Sequence, residues 1–246
     1  MITVSGLQKS YGKVTALRDV SFHIEPGEII ALLGGNGSGK STSINILTGL
    51  LKADGGTVKI QGIDPFINPI EARKKLGVFP DKAGLFPHLT AREHLKFFAG
   101  AYGFSNKALD HVVDRVIDLL DMSEIADRET KGFSQGQTVK VALARAMVHK
   151  PEYLVLDEPS RGLDVFAVRQ LRKLLLRLRD EGTGILFSSH VMQEIELLAD
   201  RMAIISDGIV CAEGTPRDLK EKAGKDTLED AFMALVEKGA SNATGN

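Results

Sequence analysis

A single cysteine, Cys211, stands among 246 residues. That excludes an internal disulfide framework and suits a reducing compartment. No apolar run approaches the roughly 18 residues that cross a bilayer, so work at a membrane would need a partner to supply the membrane part. The amino terminus, MITVSGLQKSYG, lacks the charged, then apolar, then small layout of a signal peptide. Charge of one sign is missing too. The 31 Lys and Arg face 32 Asp and Glu, a net charge of −1, and no basic field recommends nucleic acid as the partner. Internal repeats and low-complexity segments are not evident. What remains is ordinary: 43% apolar and 26% charged residues, in a chain long enough for one α/β core with a subdomain inserted in it.

Against that background two segments carry chemistry. Residues 34–41 read GGNGSGKS, a full match to the phosphate-loop pattern G-x-x-x-x-G-K-[ST]. Glycines let the main chain approach phosphate oxygens with no Cβ in the way, and the loop amides then wrap the anion. Lys40 is expected to reach the outer phosphates, and the Ser41 hydroxyl to ligate the magnesium that bridges them. Gly34, Gly35, Asn36, Gly37, Ser38, Gly39, Lys40, Ser41 and Thr42 are the candidate phosphate-binding residues. Far downstream, the apolar run 153–156 ends in Asp157 and Glu158. A buried strand there would deliver one carboxylate to magnesium and the next to an attacking water. A glycine-rich turn alone would be unremarkable. Paired with that strand, it predicts binding and hydrolysis of a nucleoside triphosphate.

The order of elements agrees. Residues 2–8, 20–24, 28–33, 57–61 and 76–80 read as short strands, with Pro26-Gly27 as a turn and a helix over 40–50. Between 91 and 150 the apolar spacing is helical, over 91–101, 106–120 and 135–149, where Val139, Ala142, Leu143 and Ala146 share one face. Strand and helix then alternate over 153–156, 165–180, 184–188, 191–199 and 202–205, the signature of a parallel sheet covered by helices. A last helix is predicted over 227–236, opened by a Thr227–Asp230 capping box.

Between the two nucleotide motifs sits FSQGQ, residues 133–137, directly before the helix that leads to VALARAMVHKPEYLVLDEP. Small and polar residues at a helix N-terminus make an anion site, because free amides and the positive dipole end coincide. The stretch resembles the L-S-G-G-Q signature of ABC ATPases. Phe133 replaces Leu and Gln135 the first Gly, while Ser134, Gly136 and Gln137 are retained. The resemblance runs from about residue 2 to 214 and most resembles the ABC-2 exporter branch, with its sodium-extrusion ATPases.

It implies an α/β fold of the P-loop NTPase type. A mostly parallel core would carry an N-terminal antiparallel β subdomain and an inserted helical subdomain, about 85–150, all within an ATPase domain over 1–214. A helical extension would span 215–238 and a disordered tail 239–246. It also implies ATP and Mg²⁺ as cofactors, Tyr11 stacking on adenine, SRGLD (160–164) as the loop along a partner subunit, and His190 against the γ-phosphate. Glu158, His190 and Lys40 would be catalytic. Ser41 and Asp157 would place the metal, and Ser134, Gly136 and Gln137 would close the nucleotide site of the other subunit. Two further positions depart from the pattern. Gly35 stands where Pro is frequent. Asp81 stands where a Gln ligand to magnesium and water is usual, so its carboxylate either binds the metal or sits back from the γ-phosphate. The implied partners are a second ATPase subunit, identical or not, and an integral-membrane permease that would hold the protein on the inner face of the cell membrane. An importer ATPase and a non-transport ABC protein are the alternatives, although this chain has one ATPase unit, no heptad insertion and no cysteine cluster.

Overall fold

The computed structural model describes residues 1–82 and 84–243, with side chains through residue 239. In chain order the elements are β1 (Ile2–Tyr11), β2 (Val14–Ile24), β3 (Ile29–Leu33), α1 (Lys40–Leu47), β4 (Gly55–Ile60), α2 (Pro69–Lys75), β5 (Leu76–Phe79), α3 (Ala91–Ala101), α4 (Asn106–Leu119), α5 (Gln135–Met147), β6 (Tyr153–Asp157), α6 (Val165–Asp180), β7 (Gly184–Ser188), α7 (Met192–Leu198), β8 (Arg201–Ser206), β9 (Ile209–Gly214), α8 (Pro216–Ala223) and α9 (Leu228–Ala243). The nine strands form one sheet in the order β4-β1-β2-β9-β8-β3-β7-β6-β5. The run β8-β3-β7-β6-β5 is parallel throughout. β1, β2 and β4 pair antiparallel and join the rest through a single parallel pairing, Asp19 with Ile209. The expected antiparallel subdomain is thus a wing of the same sheet.

Strand parity divides the core. Successive side chains of a strand point to opposite faces, and β3, β6 and β7 are buried along their whole length. Ile29, Ala31, Leu33, Leu154, Leu156, Ile185 and Phe187 pack with the helical layer of α3 to α7. Ile30, Leu32, Val155 and Leu186 pack instead with α1 and the antiparallel wing. Continuous apolar strands are what a sheet covered on both faces requires. The GGNGSGKS loop, Asp157-Glu158 and His190 sit at or just beyond the C-terminal ends of β3, β6 and β7, the edge at which ligands bind in open parallel sheets.

Several boundaries differ from the sequence reading. α1 stops at Leu47 rather than residue 50. Thr48 Oγ donates back to the Ile44 carbonyl, and the amides of Gly49 and Leu50 close on Ile46 and Asn45, a Schellman-type end. β9 and α2 were not predicted. β9 forms because Asp207 and Gly208, at φ +48° and +75°, make a tight hairpin after β8. α9 runs through Ala243, so 239–243 of the expected disordered tail is helical. Gly239 lies against Cys211 of β9 so closely that a Cβ would stand 2.6 Å from the Cys211 Cβ, and this docking carries the helix on. Residues 244–246 of that tail lie outside the described residues. Thr227 does accept the Asp230 amide at 3.1 Å.

Candidate functional site

β3 leads straight into the loop over 34–39, and α1 begins at Lys40 with its axis pointing back at it. Among the described residues no side chain caps α1, and its N-cap is Gly39 at φ +112°. A Cβ there would stand 2.5 Å from Leu17 Cδ2 and 3.0 Å from the Ala16 carbonyl, so both space and backbone demand glycine. A Cβ on Gly34 would lie 2.4 Å from the Ile205 carbonyl oxygen, whereas Gly35 and Gly37 face open space. Helix amides and loop amides therefore converge without a side chain between them, an arrangement that favours an anion. Ser38 Oγ is buried and has no hydrogen-bond partner among the described residues. A phosphate oxygen would satisfy it. The Lys40 ammonium donates to the carbonyls of Gly34 at 2.7 Å and Gly35 at 3.0 Å. Burial lowers its pKa, while the carboxylates of Glu158 and Asp157 raise it in part. The ammonium is thus within the field of both carboxylates at the end of β6.

β6 and β7 run parallel with Asp157 opposite Ser188. The Ser188 hydroxyl donates to Asp157 Oδ1 at 2.6 Å and accepts the Glu158 amide at 2.9 Å. Asp157 is buried at 7% exposure, with one carboxylate oxygen fixed by that bond. Glu158 turns sharply out of the strand at φ +52°, an uncommon conformation for a residue with a Cβ and one seen at functional sites. Its Oε2 meets His190 Nδ1 at 2.9 Å. Two bonds tie the next turns together, since Ser160 Oγ donates to Glu194 Oε2 at 2.5 Å and Ser189 Oγ to the same oxygen at 3.4 Å.

Ser134 caps α5 in a reciprocal box. Its Oγ accepts the Gln137 amide at 3.3 Å, and Gln137 Oε1 accepts the Ser134 amide at 3.0 Å. Gly136 is in open space. Tyr11 ends β1 half-exposed, with the Lys9 ammonium 5.8 Å from its ring centroid.

A family model described as ABC transporter matches residues 17–161. The ABC transporter ATP-binding protein NatA of Bacillus subtilis (strain 168) is 35% identical over 229 residues, 93% of either chain. The chain belongs to the ABC transporter family. A Nod factor export ATP-binding protein I of Paraburkholderia xenovorans (strain LB400) is 35% identical over 243 residues, 94% of this chain and 80% of that one. Among solved structures, a dimeric post-hydrolysis state of the ATP-binding cassette MJ0796 bound to ADP and Pi superposes with a TM-score of 0.80 at 26% identity, over 87% of this chain and 98% of that one.

For this ABC ATP-binding subunit the structure brings Lys40, Asp157, Glu158 and His190 to one edge. Asp81, expected either at the metal or back from it, is paired with Arg161 Nη1 at 2.9 Å. Its carboxylate has a guanidinium partner, and both side chains are partly exposed. Asp81 lines a cleft with Glu158, Gln135 and Arg161. Among the described residues no group of three His, Cys, Asp or Glu side chains is arranged to hold a metal. Ser188 was not read as functional, and Arg161 was read only as part of the SRGLD loop along a partner subunit. The strand run ending LFSSH held the signal for the first: one of two adjacent serines had to face the neighbouring strand's carboxylate.

Proposed function

We propose that this ATP-binding subunit hydrolyses ATP at sites shared between two such domains and powers export through a separate membrane permease. The observation that carries the hydrolytic reading is Glu158. It follows a buried Asp157, is turned out of the strand, bonds His190 at 2.9 Å and its charge favours the Lys40 ammonium. Triphosphate binding would draw the Lys40 ammonium from the Gly34 and Gly35 carbonyls to phosphate oxygens, with the amides of 37–41 holding the rest. Ser41 and Asp157 offer the hard oxygen donors that magnesium takes. When bound, that ion supplies charge neutralisation at the phosphates. Glu158 orients or deprotonates the water, a role worth roughly 10²–10⁴-fold in rate. His190 steadies Glu158 through Nδ1 and leaves the far side of its exposed ring for the γ-phosphate, and Tyr11 offers a free face to the base.

The dimer is supported by the dimeric state of MJ0796, with Ser134, Gly136 and Gln137 serving the partner's nucleotide. Such a pairing is isologous and closed. Export is supported by the Nod factor relative and by the ABC-2-like motifs. The permease would dock on the helical subdomain, about 85–150, within an ATPase domain of 1–214 extended by the helices of 215–243. Among the described residues no helix is long and apolar enough to cross a membrane.

Glu158→Gln tests the reading, because the isostere keeps shape and loses basicity. ATP binding should persist, phosphate release should stop, and Mg-ATP should shift the variant to a dimer in size-exclusion chromatography. A variant that stays monomeric and turns over normally would sink the assignment.

A further inference from the structure

Two positions at which this chain departs from the family motifs, Asp81 and Gln135, meet at one residue. Arg161 Nη1 binds Asp81 Oδ1 at 2.9 Å, and the Arg161 carbonyl accepts from Gln135 Nε2 at 3.4 Å. The Arg161 amide, in turn, closes on the Glu158 carbonyl at 3.1 Å. One residue therefore ties three segments: the loop after β5, the first turn of α5, and the turn that carries Glu158. The loop after β5 is also held from α5, by Arg145 Nη1 on the Gly84 carbonyl at 3.1 Å. Asp81 and Glu158 line the same cleft, so an unpaired Asp81 would add a further negative charge where a triphosphate must approach.

We propose that Arg161 is a positioning residue for ATP hydrolysis, its guanidinium holding the Asp81 carboxylate away from the nucleotide while its main chain joins α5 to the turn that carries Glu158. The inference rests on the hydrolytic reading above. The pair is partly exposed, 66% for Arg161 and 36% for Asp81, and such pairs add little stability. Its effect lies in where the Asp81 charge goes. An acidic side chain is compatible with this position because the guanidinium neutralises it and draws it toward 161.

The test compares wild type, Arg161→Ala, Arg161→Lys, Asp81→Gln and the Arg161→Ala/Asp81→Gln double variant. Fluorescent-nucleotide titration gives Kd and phosphate release gives KM and kcat. Freeing one carboxylate beside the anion should raise Kd and KM for Mg-ATP roughly three- to tenfold in Arg161→Ala, with a smaller fall in kcat. Removing the carboxylate as well should return both to within about twofold of wild type, and Arg161→Lys should recover part of the loss. Asp81→Gln alone should lie close to wild type. A double variant as impaired as Arg161→Ala, or an Arg161→Ala protein equal to wild type, overturns the proposal. If the wild type neither binds nor hydrolyses ATP, the functional reading has failed. The tie is then judged by hydrogen exchange at the Gly84 amide, which closes on the Lys82 carbonyl at 2.9 Å and should quicken in Arg161→Ala, and an unchanged rate refutes it.

Discussion

Ser188→Ala removes one oxygen from a fully buried position, and the consequences can be worked from two bonds. The hydroxyl donates to Asp157 Oδ1 at 2.6 Å, a bond to a carboxylate of the kind worth about 1.5–3 kcal/mol. It also accepts the Glu158 amide at 2.9 Å, and an amide left unpaired in a partly buried turn costs about 1 kcal/mol or more. The two losses share one atom and do not add fully, so the fold should lose about 2–4 kcal/mol. Turnover should suffer beyond this. Glu158 holds a left-handed backbone at φ +52°, strain of about 1–3 kcal/mol that neighbouring contacts must sustain. Without the Ser188 bond the residue can relax away from His190, and kcat should fall roughly ten- to a hundredfold. ATP affinity should change little, because Lys40 and the loop amides are untouched. Urea denaturation gives the stability term, and phosphate release at saturating Mg-ATP gives the rate. A stability change below about 0.5 kcal/mol together with a normal kcat would refute the bridge between Asp157 and Glu158.

The remaining expectations concern the two halves of the nucleotide site and the acid stability of the fold. Lys40→Ala should weaken nucleotide binding, whereas Ser134→Arg should spare binding and lower hydrolysis, since in the proposed dimer Ser134 would serve the nucleotide across the interface. Equal loss of binding in a fluorescent-nucleotide titration would argue against head-to-tail pairing. His94 lies buried between Phe86 and Phe98, at ring distances of 5.3 and 5.0 Å, with neither nitrogen partnered among the described residues. Burial, aided by Arg145, lowers its pKa from 6.5 to about 4. The unfolded chain takes up that proton near 6.5 and the fold only near 4, so stability falls as pH drops through this window and levels below it. His94→Leu should therefore recover about 1–3 kcal/mol of the loss between pH 6.5 and 4 in chemical denaturation. His149, likewise lowered to about 4 by burial, keeps the slope from vanishing, and an unchanged slope would show that His94 does not titrate as a buried group.

What could be read from the chain depended on how local its cause is. The loop over 34–41, the apolar strands of the parallel core and the start of the helix at residue 135 are set by neighbours a few residues away, and they stand where the sequence places them. α2 carried its own signals, with Pro69 at the first turn, Glu71 beside it and Arg73 to Lys75 at the end, as β9 did in Asp207-Gly208. Both are short, and seven or six residues give too few periods for pattern alone to decide. The extent of α9 was hidden for another reason. Its last turns continue because Gly239 meets Cys211 on β9, a contact between elements, whereas the local composition looks like a tail.

The same distinction governs the site. Asp157 and Glu158 could be assigned from one strand, but the role of Ser188 depends on β6 and β7 being adjacent and in a register that sets Asp157 opposite it. Asp81 shows the limit most clearly. Read alone it is an acid where a neutral ligand is usual, and Gln135 read alone is a bulky residue where glycine is usual. Each looks like a loss. Only the fold brings both to Arg161, where the guanidinium cancels the charge of one and the carbonyl uses the donor of the other. A substitution that seems to weaken a motif can thus be half of a contact whose other half lies in another motif, and its effect has to be measured on the pair.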